Sequence, residues 1–150
     1  EMARDTLKAS VGGLRIDVVA ALDRGALAAI SDGARVDPVK VFVQISLDGD
    51  TERGGVDVGD PAAVDALCAQ VAGADGLRLV GLMGVPPLGA DPDEAFTMLA
   101  AEHRRVLREH PEATELSAGM SGDLEAAVRH GSTCVRVGTA LMGNRPLTSP

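Results

Sequence analysis

Apolar positions along the chain fall into two alternating rhythms: short runs rich in Val, Ile and Leu, and longer stretches whose apolar residues recur three and four apart. The first rhythm marks buried strands and occurs at about 18–22, 40–47, 78–83, 114–118 and 134–138. The second marks amphipathic helices. "EMARDTLKAS" has helical composition and is stopped by "VGG" at 11–13. In "LDRGALAAISDG" Asp23 caps a helix that Gly33 closes. Asp60 stands before Pro61, an N-cap followed by proline in the first turn, and Val64, Leu67, Cys68 and Val71 then share one face. "PDEAFTMLAAEHRRVLREH" repeats the pattern with Phe96, Leu99, Ala100 and His103 at helical spacing. "SGDLEAAVRHG" is a short helix with Gly131 as its stop, and "TALMGN" is a turn or short helix.

Strands alternating with helices pair in parallel through right-handed crossovers, so the class is α/β. Five strands by themselves suit an open doubly wound sheet, because a closed parallel barrel needs eight. In both architectures ligands sit at the carboxyl ends of the strands, in the loops that lead into helices. On this chain those ends carry Asp48 to Gly55, a polar, glycine-rich loop free for function, together with Gly84 to Gly89, Ser117 to Gly122, and Gly138-Thr139.

The last two ends are richest in chemistry. Glycine lets backbone N–H groups approach an anion, a Ser or Thr hydroxyl adds a donor, and a helix N-terminus adds about half a positive charge. Ser117, Ser121 and Gly122 beside Gly138 and Thr139 therefore form either a phosphate cup, or a helix cap at Ser121 and an ordinary turn at Gly138 and Thr139. Arg136 lies between Val135 and Val137 in an apolar strand. A guanidinium there needs either an acidic partner or a ligand. Gln44, within "VFVQIS", raises the same two possibilities.

Composition narrows the choice. At 45% hydrophobic and 24% charged, the 150 residues suit one packed domain. A net charge of -8 without a Lys/Arg run excludes a nucleic-acid surface. No apolar run approaches the roughly 20 residues that span a bilayer, and no basic-then-apolar leader opens the chain, so a cytoplasmic protein is expected. Cys68 and Cys134 sit in apolar segments without metal-ligand spacing and are expected to be buried, reduced thiols. His103, His110 and His130 have no mutual spacing for a metal or acid–base cluster and are read as surface or helix-end residues. "GDTERGG" is neither a P-loop nor a dinucleotide fingerprint, and no serine has the His/Asp partners of a hydrolase. Phe42 and Phe96 are the only aromatic rings. A flat ligand must then be gripped by aliphatic side chains, methionine and backbone.

Three stretches, "VFVQISLDGDTERGGV", "GLMGVPPLGADPDEAF" and above all "LSAGMSGDLEAAVRHGSTCVRVGTALMGNRP", resemble the pyridoxal 5'-phosphate homeostasis protein family (YggS/PLPBP type), and the wording is most similar to its actinobacterial branch. The resemblance covers about residues 17 to 146. It implies a (β/α)8 TIM-type barrel of the alanine racemase N-terminal type, incomplete in this chain, as a single PLP-binding domain over 1–150. It also implies a site for pyridoxal 5'-phosphate (PLP) at the barrel mouth. The cofactor-binding residues it indicates are Ser117, Met120, Ser121, Arg136, Gly138 and Thr139. Ser117 and Ser121, with the backbone of Gly138 and Thr139, match positions that hold the phosphate. Arg136 matches the arginine facing the pyridine nitrogen, where it disfavours protonation and weakens the ring as an electron sink.

The chain departs from the family pattern at its cofactor lysine. Lys8 and Lys40 are the only lysines, one helical and one beginning a strand, so the Schiff-base lysine is not identifiable. The "HFIGxxQxNK" segment also has no counterpart, and Ala118 and Met142 stand where Met and Phe are common. The chain is thus expected to lack the family's first strands, the alternative being a degenerate paralogue that cannot bond the cofactor. The expected function is PLP homeostasis without catalytic turnover, in a cytoplasmic monomer whose partners are the cofactor and PLP-dependent apoenzymes. The alternatives are a PLP-dependent amino-acid racemase or decarboxylase, which would need a second acid–base residue, and a non-catalytic cell-division-associated protein that has lost the cofactor.

Overall fold

A computed structural model describes residues 20–22, 38–74 and 76–138. The helices expected before Ser10 and before Gly33, and the turn expected at "TALMGN", lie outside these residues. Among the described residues five strands form one parallel sheet: β1 (Ala20–Leu22), β2 (Val39–Ser46), β3 (Val56–Asp57), β4 (Leu77–Gly84) and β5 (Glu115–Ser117). Their order is β1-β2-β4-β5, with β3 paired to β2. Ile45 pairs with Gly84 on one side and Val56 on the other, so β3 continues the edge that β1 leaves after Leu22. Beyond β5, Cys134 bridges Ser117, again in parallel.

This order corrects the inference from strand number. A doubly wound sheet reverses its strand order at a switch point. Here the strands advance in one direction, and right-handed crossovers taken always the same way place the helices on one face. That is the wall of a barrel, as the family resemblance implies.

The α-helices among the described residues are α1 (Pro61–Ala72), α2 (Pro92–Val106) and α3 (Leu124–Arg129). Asp60 caps α1 by accepting from the Ala63 N–H at 3.0 Å, and Asp91 caps α2 by accepting from the Asp93 N–H at 2.9 Å. Each cap is followed by a proline, whose fixed φ suits the first turn and whose missing N–H would have been orphaned there. Val64, Leu67, Cys68 and Val71 are all buried, packed with Val41, Val43 and Ile45 of β2 and with Phe96 and Leu99 of α2. Leu99 is fully buried, and its truncation to alanine should cost about 2–5 kcal/mol. Arg105 ties the helices together, reaching Glu102 on its own helix at 2.7 Å and Asp65 of α1 at 2.7 Å.

Between β4 and its neighbours, backbone geometry decides the residue. The register against β2 slips by one at Val80, since Leu79 pairs with Val41 and Gly81 with Phe42. On the other side Gly81 pairs with Glu115, and a Cβ there would overlap the Glu115 carbonyl oxygen. Only glycine permits that approach.

Four expectations need correction. The strand expected at 134–138 is a single bridge at Cys134. β3 was not anticipated, because two residues are too short to carry a period. Cys68 is buried as expected, but Cys134 is partly exposed; both are free. His103 is not a surface residue: it is buried in the last turn of α2, with Nε2 2.7 Å from the Ala113 carbonyl oxygen. A carbonyl only accepts, so Nε2 carries the proton and donates. His130 stands at the C-cap of α3 and His110 beyond the end of α2, as expected.

Candidate functional site

The carboxyl ends of β4, β5 and the Cys134 bridge lie side by side, because their strands are neighbours in one sheet. The chain leaving β5 is stitched to the returning segment by main-chain bonds: Ala118 N–H donates to Cys134 O at 3.0 Å and Arg136 N–H to Gly119 O at 2.8 Å. Ser132 adds its hydroxyl, donating to Ala118 O at 2.6 Å. Gly119 has φ +97, and a Cβ on it would sit 2.6 Å from that of Ala127. Both the left-handed backbone and the closeness of α3 therefore demand glycine. The turn that follows is closed by Asp123, whose carboxylate accepts from the Met120 N–H at 2.6 Å.

That bond bears on the two readings of Ser121. The N-cap of α3 is Asp123, not Ser121, and Asp123 makes no side-chain cap bond because it turns back to Met120. Ser121 and Gly122 lie on the exposed turn before the cap.

Arg136 is half-buried and spans two strand ends. Nη1 donates to Ser117 Oγ at 2.6 Å and to Ser117 O at 3.1 Å, and Nη2 donates to Gly84 O at 3.2 Å. Among the described residues no carboxylate lies within ion-pair distance of it. Burial pushes its pKa below the ordinary guanidinium value, with weaker opposing influence from Cys134 and Asp123. An arginine remains charged under such a shift. The ion-pair alternative for Arg136 is thus not met among the described residues. Three neutral oxygens hold the cation and leave its charge intact.

Beside it is an open concavity of about 580 Å³ lined by Met120, Ser121, Gly122, Arg136, Val137 and Gly138. A Cβ on Gly122 or Gly138 would meet no protein atom within 4 Å, so bare backbone borders the space. Four of the six expected site residues, Met120, Ser121, Arg136 and Gly138, are thereby brought together. Ser117 does not line the concavity; it is fully buried behind Arg136. Thr139 lies outside the described residues. The carbonyl of Gly84 and the carboxylate of Asp123 were missed. Every residue has a carbonyl, so nothing in the sequence singles out Gly84.

A smaller concavity of about 240 Å³ lies at the ends of β2 and β4, lined in part by Gln44, Asp48 and Pro86. Gln44 has the structural answer: Nε2 donates to Gly54 O at 3.2 Å and holds the loop after β2.

These residues fit PLP, since a serine turn and glycine backbone that suit its phosphate and an un-neutralised cation that suits its pyridine nitrogen border one open space. They do not supply an amine for its aldehyde. Lys40 is near the start of β2, about 20 Å along the strand from its carboxyl end. Among the described residues no group of three or more His, Cys, Asp or Glu could hold a metal, and no helix is long and apolar enough to cross a membrane.

Comparison with known proteins agrees with this geometry. The model of the alanine racemase N-terminal domain family matches residues 13–146. The pyridoxal phosphate homeostasis protein of Mycobacterium leprae is 63% identical over 135 residues, which cover 90% of this chain and 52% of that protein. The crystal structure of an unknown protein from Bifidobacterium adolescentis is similar, with a TM-score of 0.71 at 30% identity over 84% of this chain and 53% of its own. PipY of Synechococcus elongatus, solved with PLP bound, gives a TM-score of 0.61 at 32% identity over 71% of this chain and 50% of its own. The chain spans about half the length of the curated relatives it matches. With a family match over most of its residues, and strands that advance in consecutive parallel order, the chain belongs to the alanine racemase N-terminal domain family and presents part of that family's barrel.

Proposed function

We propose that the chain forms the side that holds the phosphate and the ring nitrogen in a cytoplasmic PLP carrier that acts in cofactor homeostasis without catalytic turnover. The observation that carries this is Arg136, held by neutral oxygens across the ends of β4 and β5 beside a glycine-bordered concavity. Support comes from the 63% identity to a protein named for pyridoxal phosphate homeostasis and from the PLP-bound structure of PipY.

Bound PLP supplies an aldehyde and a pyridine ring. In this reading Ser121 and the backbone of Gly122, Gly138 and Thr139 hold the phosphate, Met120 packs against the ring, and Arg136 faces its nitrogen. An arginine there keeps its own proton, so the nitrogen is not protonated and the ring draws electrons weakly. The sequence contains no tyrosine, and among the described residues no histidine or lysine borders the concavity that could move a proton on a bound amino acid. Both features support carriage over racemisation.

Calorimetric titration tests the reading. PLP should bind, pyridoxal without its phosphate should bind at least about tenfold more weakly, and inorganic phosphate should compete, because ionic hydrogen bonds carry the affinity. Equal affinity for PLP and pyridoxal would refute the site. Borohydride treatment of the PLP-loaded chain should add no mass at Lys40, and no racemisation of alanine should be seen; turnover would favour the enzymatic alternative.

A further inference from the structure

We infer that Ser117 is a positioning residue for Arg136, acting behind the site and not as a direct phosphate ligand; the inference rests on the PLP-site reading above and refines it. Ser117 is fully buried and does not border the concavity. Its hydroxyl oxygen instead accepts from Arg136 Nη1 at 2.6 Å, the shortest of the three bonds that hold the guanidinium. The guanidinium is a planar, rigid fork of donors, so acceptors on two sides fix its plane. Here the acceptors come from two strand ends. Gly84 O fixes Nη2, and the oxygens of Ser117 fix Nη1.

The choice of serine has a chemical consequence. An aspartate or glutamate at this place would orient Arg136 equally well but would neutralise it. A buried hydroxyl orients the cation and leaves its charge for a ligand that brings electron pairs, such as a phosphate or a pyridine nitrogen. The main chain reinforces the arrangement, since Arg136 N–H donates to Gly119 O at 2.8 Å and Ser117 pairs with Cys134 in the sheet. The segments that carry Ser117 and Arg136 are thus joined by main-chain bonds as well as by the Arg136 side chain.

The test has an arm that needs no cofactor. In the unmodified protein, NMR of the Arg136 side chain should show separate Nη proton signals, because bonded guanidinium groups rotate slowly; a single averaged signal would overturn the inference. In Ser117→Ala, which loses the shortest bond but keeps those to Ser117 O and Gly84 O, exchange between the signals should become measurably faster, and Ser117→Thr, which keeps the hydroxyl, should slow it again. PLP affinity should fall by about tenfold or more in Ser117→Ala, the usual effect of losing one bond to a charged group. In an Arg136→Gln background the same change should have little further effect. If Ser117→Ala weakens phosphate binding while leaving the exchange rate of the Arg136 signals unchanged, Ser117 is a direct ligand and the inference fails. If no variant binds PLP, the Arg136 signals still decide the role of Ser117, so failure of the cofactor reading remains distinguishable.

Discussion

The guanidinium of Arg136 reaches the carbonyl of Gly84, 52 positions earlier in the chain, at 3.2 Å. This bond, with the one to Ser117, joins the carboxyl ends of β4 and β5 at the point where a ligand would enter. Replacing Arg136 by glutamine should therefore lower PLP affinity by at least about tenfold, since hydrogen bonds to charged groups are worth about 1.5–3 kcal/mol. Arg136→Lys should recover little, because an ammonium lacks the planar fork that serves both strand ends. Calorimetry on the two variants, with circular dichroism to confirm folding, checks both outcomes.

Gly81→Ala should destabilise the sheet by about 3 kcal/mol or more, as overpacking against fixed backbone does. The added methyl would overlap the Glu115 carbonyl oxygen, which a rotamer change cannot relieve. A urea midpoint lowered without a change of slope is the expected measurement.

Asp93 at the start of α2 joins two groups at the end of α3: His130 Nε2 at 2.8 Å and Arg129 Nη2 at 2.9 Å. The hydrogen bond from His130, and then that from Arg129, holds the Asp93 carboxyl below its ordinary range. A depressed folded pKa means stability present above the unfolded value of 3.8 and lost as pH falls through the folded one. The acid limb of the stability profile should thus be shallower in Asp93→Asn than in the unmodified chain. Urea midpoints between pH 2 and 6 would show it, and parallel limbs would contradict it.

Burial pushes the Cys68 thiol up to about 11 from 9.0, with Asp65 as the next cause. The raised value contributes stability below pH 9.0 that is lost as pH rises toward 11, where the unfolded thiol ionises first. Stability between those values should fall more steeply in the unmodified protein than in Cys68→Ala. At neutral pH iodoacetamide should label the partly exposed Cys134 well before Cys68. Equal labelling of the folded protein would contradict the burial of Cys68.

Much of the fold was legible because its signals are local. Asp60 announces its helix within four residues, and Val64, Leu67, Cys68 and Val71 declare their buried face by spacing alone. The strand at 39–46 is a run of β-branched residues that leaves little alternative. The expected site residues came from family resemblance and from the placement of Ser121 and Gly138 after strands, and four of the six, Met120, Ser121, Arg136 and Gly138, line one concavity. His103 was misjudged because a histidine on an apolar face is buried only when a carbonyl stands ready for it, and Ala113 lies ten positions away. β3 was missed because its two residues pair with β2 only after the polar loop has folded back.

The amino-acid sequence by itself determined which segments are helix or strand, the parallel α/β class, and the residue types gathered near the strand ends. Strand number suggested an open sheet and the family resemblance a barrel; the order of the strands, which only the tertiary structure decided, is that of the barrel wall. Tertiary structure also decided what Arg136 touches. The sequence left an ion pair and a ligand equally open, because the partners of a strand residue lie on neighbouring strands. Ser117 and Gly84 are 19 and 52 positions away, beyond any local period, and become neighbours only when β4, β5 and Cys134 align in the sheet.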